Sequence, residues 1–386
     1  MSTNNLQSCK RKKFLHGHGR QSSSIDDLGL DILVYEILIR LPAKGVGRSK
    51  CVCKEWLSVL STRHFAMMHC RHISTSYNQK FIAIDSRLCS VFPLSCEDSG
   101  PLLNSRILLP FEAPWNKVNI LTSFEGLLCV CFRNTGKLVI WNPLTRVFKE
   151  VSSSNSRGLY KPKSDAIGLY VDKTNDYKLL HIKRRRGRMW VHVYSSMFDS
   201  WHKITFSNKL RCWRGKPIWS NGTFCKGVLY FLVNCFIENK GVMLFGFDVE
   251  SERFRLNTFP RFPHAYYDGN LVVVHKELHM FVTHGLPNWT VDLWRMEGES
   301  WVKLWVFPRI QPPIILSCSI THITSTGRFL VVSNDGVANE IDTTKKGVDC
   351  FLPLVWFHGL QGVIYSETLS SPDFISIKYA FLLCSF

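Results

Sequence analysis

The chain has 386 residues, of which 45% are hydrophobic and 13% aromatic, and this content excludes a wholly disordered protein and is large for one ordinary domain. Lysine and arginine exceed aspartate and glutamate by 18. Such a surplus permits nucleic-acid binding and is equally typical of a solubilising surface. Apart from Lys10–Lys13 and Lys183–Arg188, the basic residues are spread along the chain, which argues against a nucleic-acid interface.

The 14 cysteines show no Cys-x-x-Cys spacing, and several lie in apolar runs such as Leu127–Phe132, where thiols act as small hydrophobic groups. No apolar stretch follows the first charged residues as in a secretory signal. The run Gly227–Ile237 is too short to span a bilayer and is broken by Asn234. We therefore expect a soluble protein of a reducing compartment, cytoplasmic and/or nuclear, with no membrane partner.

Residues 1–27 are polar, basic and rich in serine, and predict a disordered tail. Within it, Lys10–Lys13 (KRKK) is either a nuclear localisation patch or a solvated run of charge.

The segment 28–73 has helical spacing. Leu33, Ile37, Leu38 and Leu41 recur at three- and four-residue intervals, so one apolar stripe is predicted, and Pro42 is expected to end this helix. A second helix is predicted with its apolar face formed by Val52, Trp56, Val59 and Leu60, followed by a short helical turn at Phe65. Fewer than 50 residues bury little area, so the module would gain stability by docking on a partner.

After residue 73, short β-type runs alternate with turn residues, and a strand–turn–strand unit recurs. Its copies start 47 to 57 residues apart and are Phe81–Leu94, Leu138–Val151, Val191–Ile204, Leu244–Asn257, Val291–Trp305 and Ala338–Phe351. Further strand candidates led by glycine lie between them: Gly126–Phe132, Gly168–Ile182, Gly227–Val233 and Gly327–Val332. Four strands in each unit of about 50 residues predict an all-β propeller-like domain of about six blades. A large two-sheet sandwich is the alternative.

The helical segment resembles an F-box. The resemblance is carried by Glu36–Lys44 (EILIRLPAK), Cys51–Trp56 (CVCKEW) and Phe65. The stretch Gly45–Ser49 reads as a loop with two glycines where the family has larger apolar residues.

The remaining chain resembles the F-box-associated domain of plant F-box proteins, which is kelch-like in its repeats. Its matching pieces are Glu125–Cys129, Trp141–Pro143, Asn175–Lys178, Val193-Tyr194 with Ser200-Trp201, and Val291–Trp294 with Ser300-Trp301.

The resemblance implies a multidomain α+β protein with a small all-α F-box module at 28–73 and an all-β propeller-like domain at 74–386. It also implies the substrate-recognition subunit of an SCF-type ubiquitin ligase. Its partners would be a Skp-family adaptor, the cullin and RING subunits behind that adaptor, and an unknown protein target. The residues expected on the adaptor face, or in its immediate support, are Leu33, Ile37, Leu38, Leu41, Pro42, Val52 and Trp56. The alternative is that they form only the core of the module.

Signals of catalysis are missing. The sequence has no Gly-x-Ser-x-Gly, no phosphate-binding Gly-x-x-x-x-Gly-Lys and no His-Glu-x-x-His, so we expect no enzyme, no catalytic residue, no cofactor and no metal site. Trp141 is expected to pack between sheets, with Asn142 and Pro143 setting a turn. Lys183–Arg188 is expected on an exposed turn, where it is either solvated or holds an acidic or phosphorylated substrate. The remaining alternative function is a basic nucleic-acid-binding protein or another interaction scaffold.

Overall fold

The computed structural model describes eighteen stretches of the chain, and the structural statements that follow concern these alone. They are 29–73, 79–84, 90–95, 107–109, 118–152, 160–161, 165–185, 188–205, 218–235, 241–260, 266–274, 276–284, 290–307, 318–323, 329–333, 337–341, 351–356 and 361–372. The basic tail and Lys10–Lys13 lie outside them.

The first stretch is helical. Its elements are α1 (Leu30–Ile32), a π-helical turn (Leu33–Ile37), a 3₁₀ turn (Leu38–Arg40), α2 (Ala43–Ser49), α3 (Lys54–Leu60) and α4 (Arg63–Ile73). The backbone becomes extended at Leu41 (ψ 146°) and at Pro42 (ψ 150°), so the first helical run ends where the proline predicts. Thr62 then caps α4, because its hydroxyl accepts a hydrogen bond from the Phe65 amide at 3.2 Å.

Two details of the sequence interpretation are wrong here. Gly45–Ser49 is helical rather than a loop, since α2 contains both glycines. Val52 is not on a helix, because the chain turns between α2 and α3 and the second predicted helix begins only at Lys54. The N-cap of that helix is Cys53, whose sulfur accepts from the Trp56 amide at 3.5 Å.

The described part of the rest of the chain forms six antiparallel sheets. Sheet 1 contains β25 (Gln361–Ser366), β1 (Gln79–Ile84), β2 (Ser90–Ser95) and β3 (Ile107–Leu108). Sheet 2 contains β4 (Val118–Phe124), β5 (Leu127–Phe132), β6 (Leu138–Trp141) and β7 (Phe148–Glu150). Sheet 3 contains β8 (Asp165–Val171), β9 (Tyr177–Arg185), β10 (Arg188–Ser195) and β11 (Ser200–Ile204).

The other three sheets follow in chain order. Sheet 4 contains β12 (Ile218–Trp219) and β13 (Thr223–Cys225), both paired with β14 (Val228–Cys235), and then β15 (Gly241–Asp248) and β16 (Arg253–Asn257). Sheet 5 contains β17 (Tyr266–Val274), β18 (Glu277–His284), β19 (Thr290–Glu297) and β20 (Ser300–Phe307). Sheet 6 contains β21 (Cys318–Ile323), β22 (Phe329–Ser333), β23 (Val337–Ile341) and β24 (Phe351–Trp356).

The sheets are arranged in a closed ring. Contacts between strands run around the ring from β25 to β4, β8, β13, β17 and β21, in that order. The ring is closed because β21 also contacts β25. Sheet 1 closes the ring, because its first strand β25 comes from the far end of the β domain and pairs with β1, Ile82 opposite Val363. Closure covers the edge of β1 that would otherwise be open, because β25 pairs with it.

Each of the six predicted strand–turn–strand units is an antiparallel hairpin, as the pairings β1–β2, β6–β7, β10–β11, β15–β16, β19–β20 and β23–β24 show. The run led by Gly168 differs from the prediction of one strand, because a turn at Asp172–Asp176 divides it into β8 and β9. Aspartate and asparagine favour such a turn. The sheets form a closed ring and not two stacked layers, so the alternative of a two-sheet sandwich is wrong.

The apolar cores lie between neighbouring sheets. Trp141 is fully buried between sheets 1 and 2, against Ile82, Val118 and Tyr365, as predicted from its position before a turn. Similar clusters lie between sheets 2 and 3, between sheets 3 and 4, and between sheets 4 and 5. This packing explains the aromatic content of the chain, because each sheet has two faces to cover.

Strand direction defines two faces of the ring. Neighbouring strands within each sheet are antiparallel, so the first and third strands end at one face of the ring and the second strand ends at the other. The first of these faces contacts the helices, and we call it the helical face. Four of its turn residues, following the first strands of sheets 2 to 5, have left-handed backbones: Glu125 (φ 46°), Asn175 (64°), Lys226 (49°) and Lys276 (63°).

In the described residues the cysteines follow the predicted pattern except at one position. Cys53, Cys70, Cys129, Cys131 and Cys225 are free thiols. Cys51 is exposed rather than part of an apolar run.

Candidate functional site

The helical segment 29–73 builds a small core of its own. Its buried members are Leu33, Val34, Leu38, Ile39, Ala43, Val46, Leu60, Phe65 and Ala66. Leu369 from the β domain completes this core, and Leu144 packs against it. The segment therefore shares its core with the ring, which stabilises a unit too small to fold well alone.

The seven residues predicted for the adaptor face divide into three groups. Leu33 and Leu38 are buried in the core. Leu41 and Trp56 are partly buried and pack against it. Ile37 (44% exposed), Pro42 and Val52 (64% exposed) lie at the surface. The structure thus brings the seven together in one module but leaves only three of them at its surface.

Two further exposed apolar side chains were not predicted. Leu30 is 41% exposed and Ile32 is 53% exposed, both at the start of the first helical run. The π-helical turn Leu33–Ile37 follows them, and its hydrogen bonds span five residues instead of four. A stripe drawn at α-helical spacing does not include this change of register.

A buried histidine supports the bend at Leu41-Pro42. The ring of His69 is fully buried on α4, and its Nε2 lies 2.8 Å from the carbonyl oxygen of Leu41. Burial lowers the pKa of His69, so the ring is neutral. Because a carbonyl oxygen only accepts hydrogen bonds, the proton of the neutral ring is on Nε2. Burial in the same region lowers the pKa of Lys50 to about 8.

Three polar contacts hold the helices on the helical face in addition to Leu369. Arg71 on α4 donates to Oδ1 of Asn175 at 3.4 Å. The Arg63 guanidinium lies 5.3 Å from the centroid of the Tyr177 ring. Lys44 forms an ion pair with Glu367 at 3.6 Å. The attachment therefore involves sheet 3 and the segment that follows β25.

The segment 367–370 is held by the turn between β6 and β7. The side-chain oxygen of Asn142 accepts from the amides of Leu144 and Thr145 at 2.9 and 3.2 Å, so Asn142 sets this turn as predicted. Its side-chain nitrogen donates to the carbonyl oxygens of Thr368 and Ser370, a role that sequence reasoning missed. Asn142 is fully buried, which is consistent with four satisfied hydrogen bonds.

The basic run 183–188 is only partly a turn. Lys183, Arg184 and Arg185 belong to β9, and Lys183 is 6% exposed, so the expectation of an exposed loop is wrong for Lys183. Its position opposite Trp190 in the ladder accounts for the burial.

The family model described as the F-box associated beta propeller domain matches residues 79–365. The chain belongs to this family. The match spans all six sheets, so the predicted F-box-associated β domain is confirmed.

Proteins similar in sequence to this member of the F-box-associated family are named as F-box proteins. A protein of Arabidopsis thaliana named "Probable F-box protein At5g47300" is 26% identical over 342 residues, which is 86% of this chain and 76% of that protein. Another, "F-box protein At3g08750", is 24% identical over 243 residues, 58% of each chain. Among solved structures, apo AztD from Citrobacter koseri matches with a TM-score of 0.42 and 11% identity over 75% of this chain and 99% of that chain, a likeness too distant to bear on function. These relatives support an F-box protein.

No group of three or more His, Cys, Asp or Glu side chains within the described stretches is placed to hold a metal ion. Within them, too, no helix has the length and apolar character needed to cross a membrane.

Proposed function

We propose that this F-box-associated family member is the substrate-recognition subunit of an SCF-type ubiquitin ligase. Residues 29–73 dock on a Skp-family adaptor, and the β domain holds a protein target. The observation that supports this proposal is a set of exposed apolar side chains on a small helical module, namely Leu30, Ile32, Ile37 and Val52. Exposed apolar side chains on such a module indicate a protein contact.

The mechanism is catalysis by proximity. Cullin and RING subunits would join through the adaptor and bring a ubiquitin-conjugating enzyme to the target. This chain forms no bond itself and raises the effective concentration of a target lysine near that enzyme. The shared core at Leu369 and the contact between Arg71 and Asn175 support this role, because they restrict the motion of the helices relative to the ring.

Capture of a purified Skp-family adaptor by the immobilised full chain tests the docking step. Ile37→Asp combined with Val52→Asp should abolish capture, because each change places a charge in an apolar contact and leaves the core of the module intact. Leu41 is unsuitable for this purpose, since it packs against the core and its loss also destabilises the module.

The matched control is Leu256→Asp with Phe198→Asp, which adds the same charge at two apolar residues of the β domain. Their side chains are 58% and 74% exposed. This control should bind the adaptor as well as the unaltered chain does. Absence of capture by the unaltered chain, or equal loss with both double variants, would rule out the proposed docking surface.

Nucleic-acid binding is the second candidate, and the net charge of +18 is the observation that favours it. Affinity for DNA or RNA should then fall steeply as salt rises, because counterions are released on binding. An absence of binding at low salt excludes this candidate.

A further inference from the structure

A cavity of about 660 Å³ lies at the centre of the ring, at its helical face. Its wall comes from the first strands of sheets 1, 2 and 5, from β13 of sheet 4 and from the end of β8. The last turn of α4 contributes Cys70, Arg71 and Ile73. Small-molecule sites commonly have volumes of roughly 300–1,000 Å³, so this cavity has room for an organic ligand.

One part of the wall is apolar. The rings of Phe124 and Phe224 meet edge to face with centroids 4.7 Å apart, and Leu121 and Val272 also line the cavity. The nearby hydroxyl of Thr122 already has a hydrogen-bond partner, because it donates to the carbonyl oxygen of Gly222 at 3.0 Å. This part of the wall suits an aromatic or aliphatic body.

Two exposed lysines line the same cavity from neighbouring turns. Lys226 follows β13, and Lys276 lies between β17 and β18. The two turns are joined directly, because Sγ of Cys225 donates to the carbonyl oxygen of Lys276 at 3.5 Å. Within the described stretches neither lysine has an ion pair, and the adjacent Glu277 already pairs with Arg295 at 3.6 Å.

The backbone at both lysines is left-handed. Lys226 and Gly227 have φ of 49° and 80°, as in a type I′ turn, and Lys276 has φ of 63°. Asparagine, aspartate and glycine adopt this geometry more readily than lysine does. The turns alone therefore do not account for lysine at these two positions, whereas a role for the two ammonium groups does.

The remaining charges on the wall do not neutralise the lysines. Glu125 lies on sheet 2 and accepts a hydrogen bond from the Tyr177 hydroxyl at 3.4 Å, and its burial raises its pKa. Arg71 is also cationic and donates to Asn175. The edge of the cavity formed by sheets 4 and 5 is therefore positively charged.

We propose that this cavity binds a small organic anion. Its apolar body lies against Phe124 and Phe224, and its carboxylate, sulfonate or phosphate group is held by Lys226 and Lys276. A ligand in this position contacts both α4 and the ring, so it joins the two parts of the molecule.

Fluorescence titration of the full chain with anilinonaphthalene sulfonate tests the site, because this probe has an aromatic body and one anionic group. Phenylnaphthylamine supplies a similar body without the charge. In the double variant Lys226→Asn, Lys276→Asn the affinity for the sulfonate should fall about tenfold or more, since two charge-assisted contacts are lost. The affinity for the neutral probe should not change. Asparagine suits both turns, so folding is preserved.

The control is Lys173→Asn with Lys203→Asn, which removes the same charge from two exposed lysines outside the cavity. It should bind the sulfonate like the unaltered chain. Equal weakening of sulfonate binding in both double variants would indicate a general effect of charge and would overturn the proposal. Unchanged sulfonate binding in Lys226→Asn, Lys276→Asn would overturn it too. So would an equal loss of affinity for the neutral probe in that variant.

Adaptor capture by the same variants separates this proposal from the proposed function. Both lysines lie on the ring and outside residues 29–73, so capture should be unaffected. A result in which the sulfonate binds as expected but no variant captures the adaptor leaves the anion site standing and removes the ligase role.

Discussion

The side-chain amide of Asn142 donates a hydrogen bond of 3.0 Å to the carbonyl oxygen of Thr368, 226 positions later in the chain. A second hydrogen bond, of 2.6 Å, reaches the carbonyl of Ser370. Through Asn142, the turn of sheet 2 holds the segment that follows the ring-closing strand. The same segment supplies Leu369 to the helical core, so the Asn142 side chain supports both the end of the ring-closing strand and the attachment of the helices.

Asn142→Ala should lower the free energy of unfolding by about 2–4 kcal/mol, because two buried carbonyl groups lose their donor and the turn loses its acceptor. Urea unfolding followed by tryptophan fluorescence measures this change. Asn134→Ala, at an exposed turn of the same sheet, is the control and should change stability by less than about 0.5 kcal/mol. Equal effects of the two changes would contradict the assigned role.

Gly126→Ala should destabilise the protein more than Gly227→Ala does. Both glycines are left-handed, with φ of 78° and 80°, so a Cβ costs roughly 1–2 kcal/mol at either position. At Gly126 the added Cβ would also overlap the Thr368 hydroxyl and lie 2.6 Å from the carbonyl oxygen of Ser366, whereas at Gly227 it meets nothing. Comparing the two unfolding midpoints isolates the contact with the segment 366–368.

Leu369→Ala should loosen the helices more than it affects the sheets. Leu369 is 6% exposed in the helical core, and truncation of such a leucine costs about 2–5 kcal/mol. Hydrogen exchange should therefore rise in residues 29–73 while the strands of sheets 3 and 4 keep their protection. Uniform loss of protection across helices and sheets, or none at all, would show that Leu369 does not serve as the anchor. Leu256→Ala, at an exposed position on β16, is the control.

His181 should make the protein less stable in mild acid. Its imidazole is buried 3.1 Å from the Asp165 carboxylate, and burial lowers the pKa of His181 from 6.5 to about 4 despite this neighbour. As pH falls from 6.5 toward 4, the unfolded chain takes up a proton that the folded protein does not. The stabilisation is fully present above pH 6.5, and a loss on the order of 3 kcal/mol is expected across this window.

The measurement is the difference in unfolding free energy between the unaltered chain and His181→Gln at several pH values. The variant should lack this part of the pH dependence, and His202→Gln, at an exposed position, should retain it. If the unaltered chain instead gains stability relative to His181→Gln on acidification, His181 is ionised beside Asp165.

Much of the β architecture could be predicted from the sequence, because each hairpin combines apolar alternation with a polar turn. The six recurring units correspond to six hairpins for this reason. The division at Asp172–Asp176 was missed, although these five residues are polar and include the aspartate and asparagine that favour a turn. The strand β25 carries no signal of its partner either, because pairing with β1 is decided by ring closure and not by local residue pattern.

The helical segment was predicted in outline, but its surface was not. Periodicity identifies Leu33 and Ile37 as members of one stripe, yet it cannot show that the first is buried and the second exposed. That distinction depends on the π-helical turn and on Leu369, which reaches the core from more than 300 positions away. The lysines at the central cavity were missed for a related reason, as they become neighbours only when sheets 4 and 5 pack together.

The pairing of β25 with β1 has a consequence for synthesis on the ribosome. The partner of β1 leaves the ribosome about 280 residues later, which at 5–20 residues per second is roughly a quarter of a minute to one minute. During this interval β1 has an open edge on the side that β25 will cover, and the helices lack Leu369. The nascent chain is therefore expected to need chaperone protection until β25 is translated, and a premature stop before Gln361 should produce an aggregating product.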